Sequence, residues 1–240
     1  MTDDTAARLR ATLARVAAAA RRAGRDPAEI ALCGVAKQMP AEAIAQAVEA
    51  GLAHVGESYV SEAKAKRPAL LALLAARRVA PPRWHFVGRL QRNKARAVAE
   101  EFDCLHSLDR PELCDALGRH ASAAGRTLEV LVQVNVAGEA QKGGAAPQAV
   151  GSLLRSCRRW PALRAVGLMT IPPADPDPER SRPVFAALRA LRDALRATPE
   201  GSGLRELSMG MTADFEVAIE EGATILRVGT AIFGARRPAT

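Results

Sequence analysis

Lys37 closes the apolar run 30–36 (Ile-Ala-Leu-Cys-Gly-Val-Ala), and Gln38-Met39-Pro40 turns the chain straight into a helical pattern. A lysine there sits at the carboxyl end of a buried strand, where barrels and α/β sheets keep their chemistry. A partly desolvated amine is less readily protonated, and the free amine condenses with an aldehyde to a Schiff base. The competing reading is a strand-end lysine that merely reaches solvent. A second set of candidates lies near the C-terminus, in Leu207-Ser208-Met209-Gly210-Met211-Thr212 and in Arg227-Val228-Gly229-Thr230. Glycine lets the backbone approach a ligand, hydroxyls donate hydrogen bonds, and helix starts present free N–H groups, so Ser208, Gly229 and Thr230 suit a phosphate. Turns use the same residues freely. Arg227 stands in an otherwise apolar strand, facing either the sheet interior or the helix layer. Its buried guanidinium requires a partner, and a nearby carboxylate is the plain choice.

Other chemistries are excluded. There is no GxxxxGK[ST], and Gly201-Ser202-Gly203 has Glu206 where a dinucleotide fingerprint needs its third glycine. His54, His85, His106 and His120 lack metal-ligand spacing, and HExxH is absent, so no metal is expected. Cys33, Cys104, Cys114 and Cys157 form no CxxC pair and read as reduced structural thiols, as in a cytoplasmic protein. The N-terminal segment carries Asp3, Asp4 and an Arg/Ala pattern, which is neither a signal peptide nor a membrane span.

The elements that must position these residues alternate regularly. A helix over 2–23 comes first, closed by Gly24. Apolar runs at 30–36, 52–55, 84–87, 104–108, 128–136, 163–170, 205–208 and 224–228 read as strands, each followed by a helical period. Thr212 is the expected cap of the helix after the seventh strand. A proline-broken loop over 171–178 reads as exposed connection, with a lid formed by its 175–178 stretch over the barrel mouth as the alternative. Eight strand–helix alternations with short connections indicate a parallel sheet, and eight closes a (β/α)8 TIM barrel preceded by an extra N-terminal helix. An open doubly wound sheet is the alternative. No Pro/Gly/Ser-rich linker divides the 240 residues, so one domain over 1–240 is expected, its barrel core at about 30–236.

Composition agrees with an α/β class. The chain is 48% hydrophobic but only 3% aromatic, so alanine and leucine carry the packing. Lys and Arg number 34 against 26 Asp and Glu, a net charge of +8. The basic residues are scattered as pairs without aromatics between them, which argues against a nucleic-acid surface. A phosphorylated small molecule also suits a locally positive site.

Taken together, these residues resemble the pyridoxal phosphate homeostasis proteins, barrels similar to the N-terminal domain of alanine racemase. The specific segments are Val35-Ala36-Lys37, Val55-Gly56-Glu57-Ser58-Tyr59 and Trp84-His85-Phe86-Val87-Gly88-Arg89-Leu90-Gln91-Arg92-Asn93-Lys94. Further matches are Val134-Asn135-Val136 with Lys142 and Gly144, then Gly167-Leu168-Met169, and the tail over 207–234. The resemblance implies that Lys37 carries pyridoxal 5'-phosphate as a Schiff base. Ser208, Gly229 and Thr230, with nearby backbone N–H groups, would hold the phosphate, Met209 would also belong to the cofactor site, and Arg227 would face the pyridine nitrogen. His85 and Met169 would line the pocket around the ring, with Asn135 close by and Ser58 near the cofactor. Ala36, Ser58 and Thr212 depart from the family's usual serine, asparagine and serine, and Ser58 shortens a side chain expected near the cofactor.

A cationic arginine beside the ring nitrogen disfavours its protonation and makes the ring a poorer electron sink. In related racemases and decarboxylases a second domain and a dimer partner complete the active site, and here the chain ends at Thr240, with Tyr59 its only tyrosine. The expected function is therefore carriage and buffering of pyridoxal phosphate with little or no turnover, by a monomer that can serve apo-enzymes. A fold-type III racemase or decarboxylase is the alternative, and a cofactor-free lysine aldolase a third. The loop cations Arg89, Arg92 and Lys94 either guide release or bind a second phosphate, or are plain solvated charges.

Overall fold

The computed structural model describes residues 4–139 and 143–234. Lys142 and Arg236, both within the motif match, lie outside the described residues. Eight parallel strands form a closed barrel in sequence order: β1 (Ala31–Val35), β2 (His54–Glu57), β3 (Arg83–Phe86), β4 (Cys104–Leu108), β5 (Leu128–Gln133), β6 (Leu163–Met169), β7 (Glu206–Ser208) and β8 (Ile225–Val228). β8 returns to pair with β1, Cys33 lying opposite Arg227. The open-sheet alternative is thereby excluded.

The helices alternate with the strands: α1 (Thr5–Arg22) before β1, then α2 (Ala41–Glu49), α3 (Val60–Ala76), α4 (Ala95–Glu101), α5 (Pro111–Ala123), α6 (Val150–Arg158), α7 (Arg182–Arg196), α8 (Phe215–Glu220) and α9 (Thr230–Phe233). Two apolar regions result. The larger lies between strands and helices and includes Leu32, Val55, Trp84, Leu105, Val132, Leu168, Leu207 and Leu226. The smaller lies inside the barrel, where Cys33, Cys104, Leu131, Met169 and Ile225 meet. Strand side chains alternate between these two regions. The extra helix α1 packs on α8 and α9. It is fastened there by Arg25, whose guanidinium donates to the carbonyls of Ile219 and Ala223 at the end of α8.

Most strand ends lie within one residue of expectation, but β2 runs His54–Glu57 rather than 52–55. Two further differences shape the mouth. β5 stops at Gln133 rather than 136, because the chain leaves the ladder for a single bridge between Val134 and Ala145. Before α8 the residue at the cap is Asp214, not Thr212. Asp214 Oδ1 accepts the Met211 N–H at 2.7 Å and Oδ2 accepts the Ser181 hydroxyl at 3.1 Å, closing the loop after β7 and leaving Thr212 at the mouth. Gly210 makes that turn at φ 90°, where a Cβ would lie 2.6 Å from Ala218 Cβ.

The rim after β2 and β3 is equally tight. A Cβ on Gly88 would lie 2.2 Å from the Ser58 carbonyl oxygen, and the Gly88 carbonyl accepts the Ser107 hydroxyl at 2.6 Å. Backbone meets backbone here, so neither side can yield. Gly88→Ala is expected to lower stability by about 2 kcal/mol in urea unfolding, the usual scale of overpacking; an unchanged midpoint would show that the rim is looser than this.

Candidate functional site

Lys37 leaves the carboxyl end of β1 and lines a cavity of about 370 Å3 at the barrel mouth. The backbone on both sides of it is pinned. The Ala36 N–H donates to the Gly56 carbonyl at 2.8 Å, and the Ala36 carbonyl accepts from Lys66 Nζ at 2.9 Å. The Gln38 N–H donates to Glu62 Oε1, with Gln38 in the left-handed region at φ 63°. Lys66 also pairs with Glu62 at 2.7 Å and with the fully buried Glu57 at 2.9 Å. Burial pushes the Glu57 carboxyl up to about 7, against the opposing pull of Lys66. A rigid root of this kind fixes where the lysine amine can go.

The cavity walls are Val35, Met39, Val87, Ile171, Met211 and Phe233, and its polar groups include Ser58, Thr212, Thr230 and Arg227. Apolar walls with a few convergent polar groups are the usual form of a small-molecule site. Arg227 is only 5% exposed. It donates to Ser208 Oγ at 2.7 Å and to the Thr170 carbonyl at 3.0 Å. Among the described residues no carboxylate pairs with it, contrary to the plain expectation. Burial lowers its pKa to about 10, so it stays cationic at neutral pH.

Of the expected site residues, Lys37, Ser58, Arg227, Gly229 and Thr230 line this one cavity. The others are placed elsewhere. Ser208 is fully buried one layer below, its hydroxyl engaged with Arg227 and with His106 Nδ1 at 2.8 Å. His85 lies inside the barrel between His54 and His106, at 2.9 and 2.8 Å. Met169 belongs to the interior apolar cluster and Met209 to the core outside the strands. The Asn135 amide closes its own loop, donating to the Glu139 carbonyl at 2.8 Å and accepting the Glu139 N–H at 3.2 Å.

Sequence reading passed over Thr212 as a contact, together with the walls Met39, Val87, Ile171 and Phe233. It also passed over the interior histidines His54 and His106. The signal for the histidines was there: polar residues recurring at alternate, inward positions of short apolar strands. The fold further brings ligand atoms of His85, Cys104 and His106 within 4.8 Å of one another, despite their lack of metal-ligand spacing. Arg89 and Lys94, with Arg110, line an adjoining groove of about 840 Å3 that shares Lys37 and Ser58 with the cavity.

A closed parallel barrel with an amine at the end of β1 and a buried guanidinium on β8 defines a class of lysine-bearing barrels. Residues 7–237 match the model of the alanine racemase N-terminal domain. The chain is 44% identical over 223 residues to the pyridoxal phosphate homeostasis protein of Pseudomonas aeruginosa, covering 93% of this chain and 92% of that one. A solved structure from Bifidobacterium adolescentis aligns with a TM-score of 0.89 at 35% identity, covering 96% and 94% of the two chains. PipY of Synechococcus elongatus PCC7942, solved with PLP bound, aligns with a TM-score of 0.79 at 35% identity, covering 92% and 99%. The chain therefore belongs to the alanine racemase N-terminal domain family and, within it, to the pyridoxal phosphate homeostasis proteins.

The interior histidines give a pH signature. Burial pushes His85 down to about 3, and lowers His54 and His106 as well. Near pH 5.5 the unfolded chain protonates these rings and the folded one keeps His85 and His106 neutral. Glu57, raised on folding, acts in the opposite sense between pH 4.5 and 7. The balance leaves the unfolded state with about one to two more protons, so stability is expected to rise with pH between 5 and 6. Glu57→Gln is expected to steepen that rise by about one proton in urea titrations, and an unchanged slope would contradict the assignment.

Proposed function

We propose that this chain binds pyridoxal 5'-phosphate at the barrel mouth and carries or buffers it, with little or no turnover of its own. The observation that carries this reading is the convergence of Lys37, Arg227 and the Thr212 and Thr230 hydroxyls on one apolar-walled cavity. That donor set fits the cofactor: an amine for its aldehyde, hydroxyls for its phosphate, a cation for its ring nitrogen, and apolar walls for its ring. When bound, the cofactor supplies an aldehyde that condenses with a primary amine. PipY, which this chain resembles, has been solved with the same molecule. Ser58 stands beside Lys37 on the rim. Ser208 acts from below, through Arg227, rather than on the phosphate.

The carrier reading rests on what the cavity offers for proton transfer. Lys37 and Arg227 are the only ionisable groups among its described lining residues, and a guanidinium does not give up its proton near neutral pH. A two-base racemisation requires a second acid–base group, and Tyr59, a candidate by type, is 56% exposed on the adjoining groove. We take the chain as one cofactor-binding domain, a cytoplasmic monomer whose recipients are apo-enzymes. No helix among the described residues is long and apolar enough to cross a membrane.

After incubation with pyridoxal phosphate and removal of unbound ligand, a visible absorption band is expected in the wild-type protein and none in Lys37→Ala. A featureless wild-type spectrum would contradict cofactor binding, and sustained interconversion of amino-acid enantiomers at ordinary enzyme rates would contradict the carrier role. Thr212→Val and Thr230→Val are each expected to weaken pyridoxal phosphate about tenfold, the scale of one charge-assisted hydrogen bond, while affinity for unphosphorylated pyridoxal stays unchanged. Equal losses for both ligands in fluorescence titrations would remove these hydroxyls from the phosphate site.

A further inference from the structure

Four side chains connect Arg227 to the opposite end of the barrel. Ser208 Oγ lies 2.7 Å from the Arg227 guanidinium and 2.8 Å from His106 Nδ1. His106 Nε2 lies 2.8 Å from His85 Nδ1, and His85 Nε2 lies 2.9 Å from His54 Nδ1. His54 and His85 line a second cavity of about 360 Å3, with Arg83, Cys104, Glu129 and Ile225. The chain therefore runs through the barrel interior, from beneath the mouth cavity to this lower one.

Proton counting gives the chain a direction. Arg227 has only N–H groups to offer, so Ser208 Oγ must accept from it. If His106 Nδ1 also carried a proton, Ser208 would accept twice, and its own hydroxyl proton would be buried without an acceptor among the described residues. Ser208 therefore donates to His106 Nδ1. His106, being neutral, carries its proton on Nε2 and donates to His85 Nδ1. His85 in turn carries its proton on Nε2 and donates to His54 Nδ1, leaving the His54 proton on Nε2. The neutrality that this ordering requires agrees with the burial of His85 and His106 and the partial burial of His54. It also leaves no imidazole lone pair of His85 or His106 for the metal that their closeness to Cys104 suggests.

We propose that His106, His85 and His54, acting through Ser208, are positioning residues that hold the Arg227 guanidinium in its orientation toward the mouth cavity. The role toward the cofactor rests on the reading of the preceding subsection; the chain itself does not. Ser208 with its proton committed downward keeps its lone pairs for Arg227, while the Thr170 carbonyl takes a second N–H of the guanidinium. Reversing the chain would aim a His106 N–H at the same oxygen and loosen the arginine's seat.

Apo-protein labelled with 15N-histidine tests the chain without the cofactor. At pH 7, long-range 1H–15N spectra are expected to show His54, His85 and His106 as neutral rings protonated on Nε2. A ring protonated on Nδ1, or on both nitrogens, at any of these positions overturns the directed chain. In Ser208→Ala the hydroxyl that sets the direction is gone, and the 15N shifts of His85 and His54 are expected to move toward a mixture of tautomers. Unchanged shifts at these two distant rings would mean that Ser208 sets no direction, and would overturn the proposal. The same variant, loaded with pyridoxal phosphate, is expected to bind it about tenfold more weakly, and wild-type affinity overturns the positioning role. Correct tautomers in a wild-type protein that shows no visible band support the chain and overturn only the cofactor reading.

Discussion

β8 pairs with β1 in the register Cys33 opposite Arg227, and the arrangement at the mouth depends on that closure. The two strands are nearly two hundred residues apart in sequence, yet the ladder sets Lys37, just past the end of β1, beside Gly229 and Thr230, just past the end of β8. A parallel ladder also puts every strand's carboxyl end on the same face. The loop after β7 then delivers Thr212 and Met211, and the rim after β2 and β3 delivers Ser58 and Val87. An open sheet would leave β1 and β8 unpaired and this constellation unmade.

Closure carries an electrostatic cost, because it encloses a guanidinium. Arg227 is held by neutral oxygens of Ser208 and Thr170 rather than by a carboxylate. Asp214 acts on it only through space, without an ion pair, so the guanidinium keeps its charge toward whatever enters the mouth. The neighbouring imidazoles respond to the same field: Arg227 is among the causes that lower His106, after burial and His85. One cation with neutral hydrogen-bonding groups beneath it is a consistent interior. On the far side of β1 the polarity is opposite: Glu57, Glu62 and Lys66 form a partly buried ion cluster that grips the backbone around Lys37. The first arrangement presents charge, and the second fixes geometry.

Fold class was legible because strands buried on both faces leave near-continuous apolar runs, and their alternation with helical periods occurs eight times. Lys37, Gly229 and Thr230 were legible because they follow directly on those runs. Alternation says which face a strand residue occupies but not its height along the barrel axis, which depends on register with neighbouring strands. Ser208 therefore read as a mouth residue from its place at a strand end, and His85 and Met169 were placed at the ring by resemblance, whereas all three face the barrel interior here. Thr212 was misassigned for a local reason, since Asp214 two residues later is the better acceptor for the turn and takes it. Asn135 has no such signature, because its partner Glu139 lies within an irregular loop.

In the carrier reading proposed above, the Lys37 amine is the group to which the cofactor attaches. Borohydride reduction of the loaded protein, followed by proteolysis and peptide mass spectrometry, locates the attachment directly. The phosphopyridoxyl mass is predicted on the peptide containing Lys37, at one equivalent per chain. A stoichiometric adduct on Lys66, Lys94 or another lysine, with the Lys37 peptide unmodified, would rule out Lys37 as the attachment point.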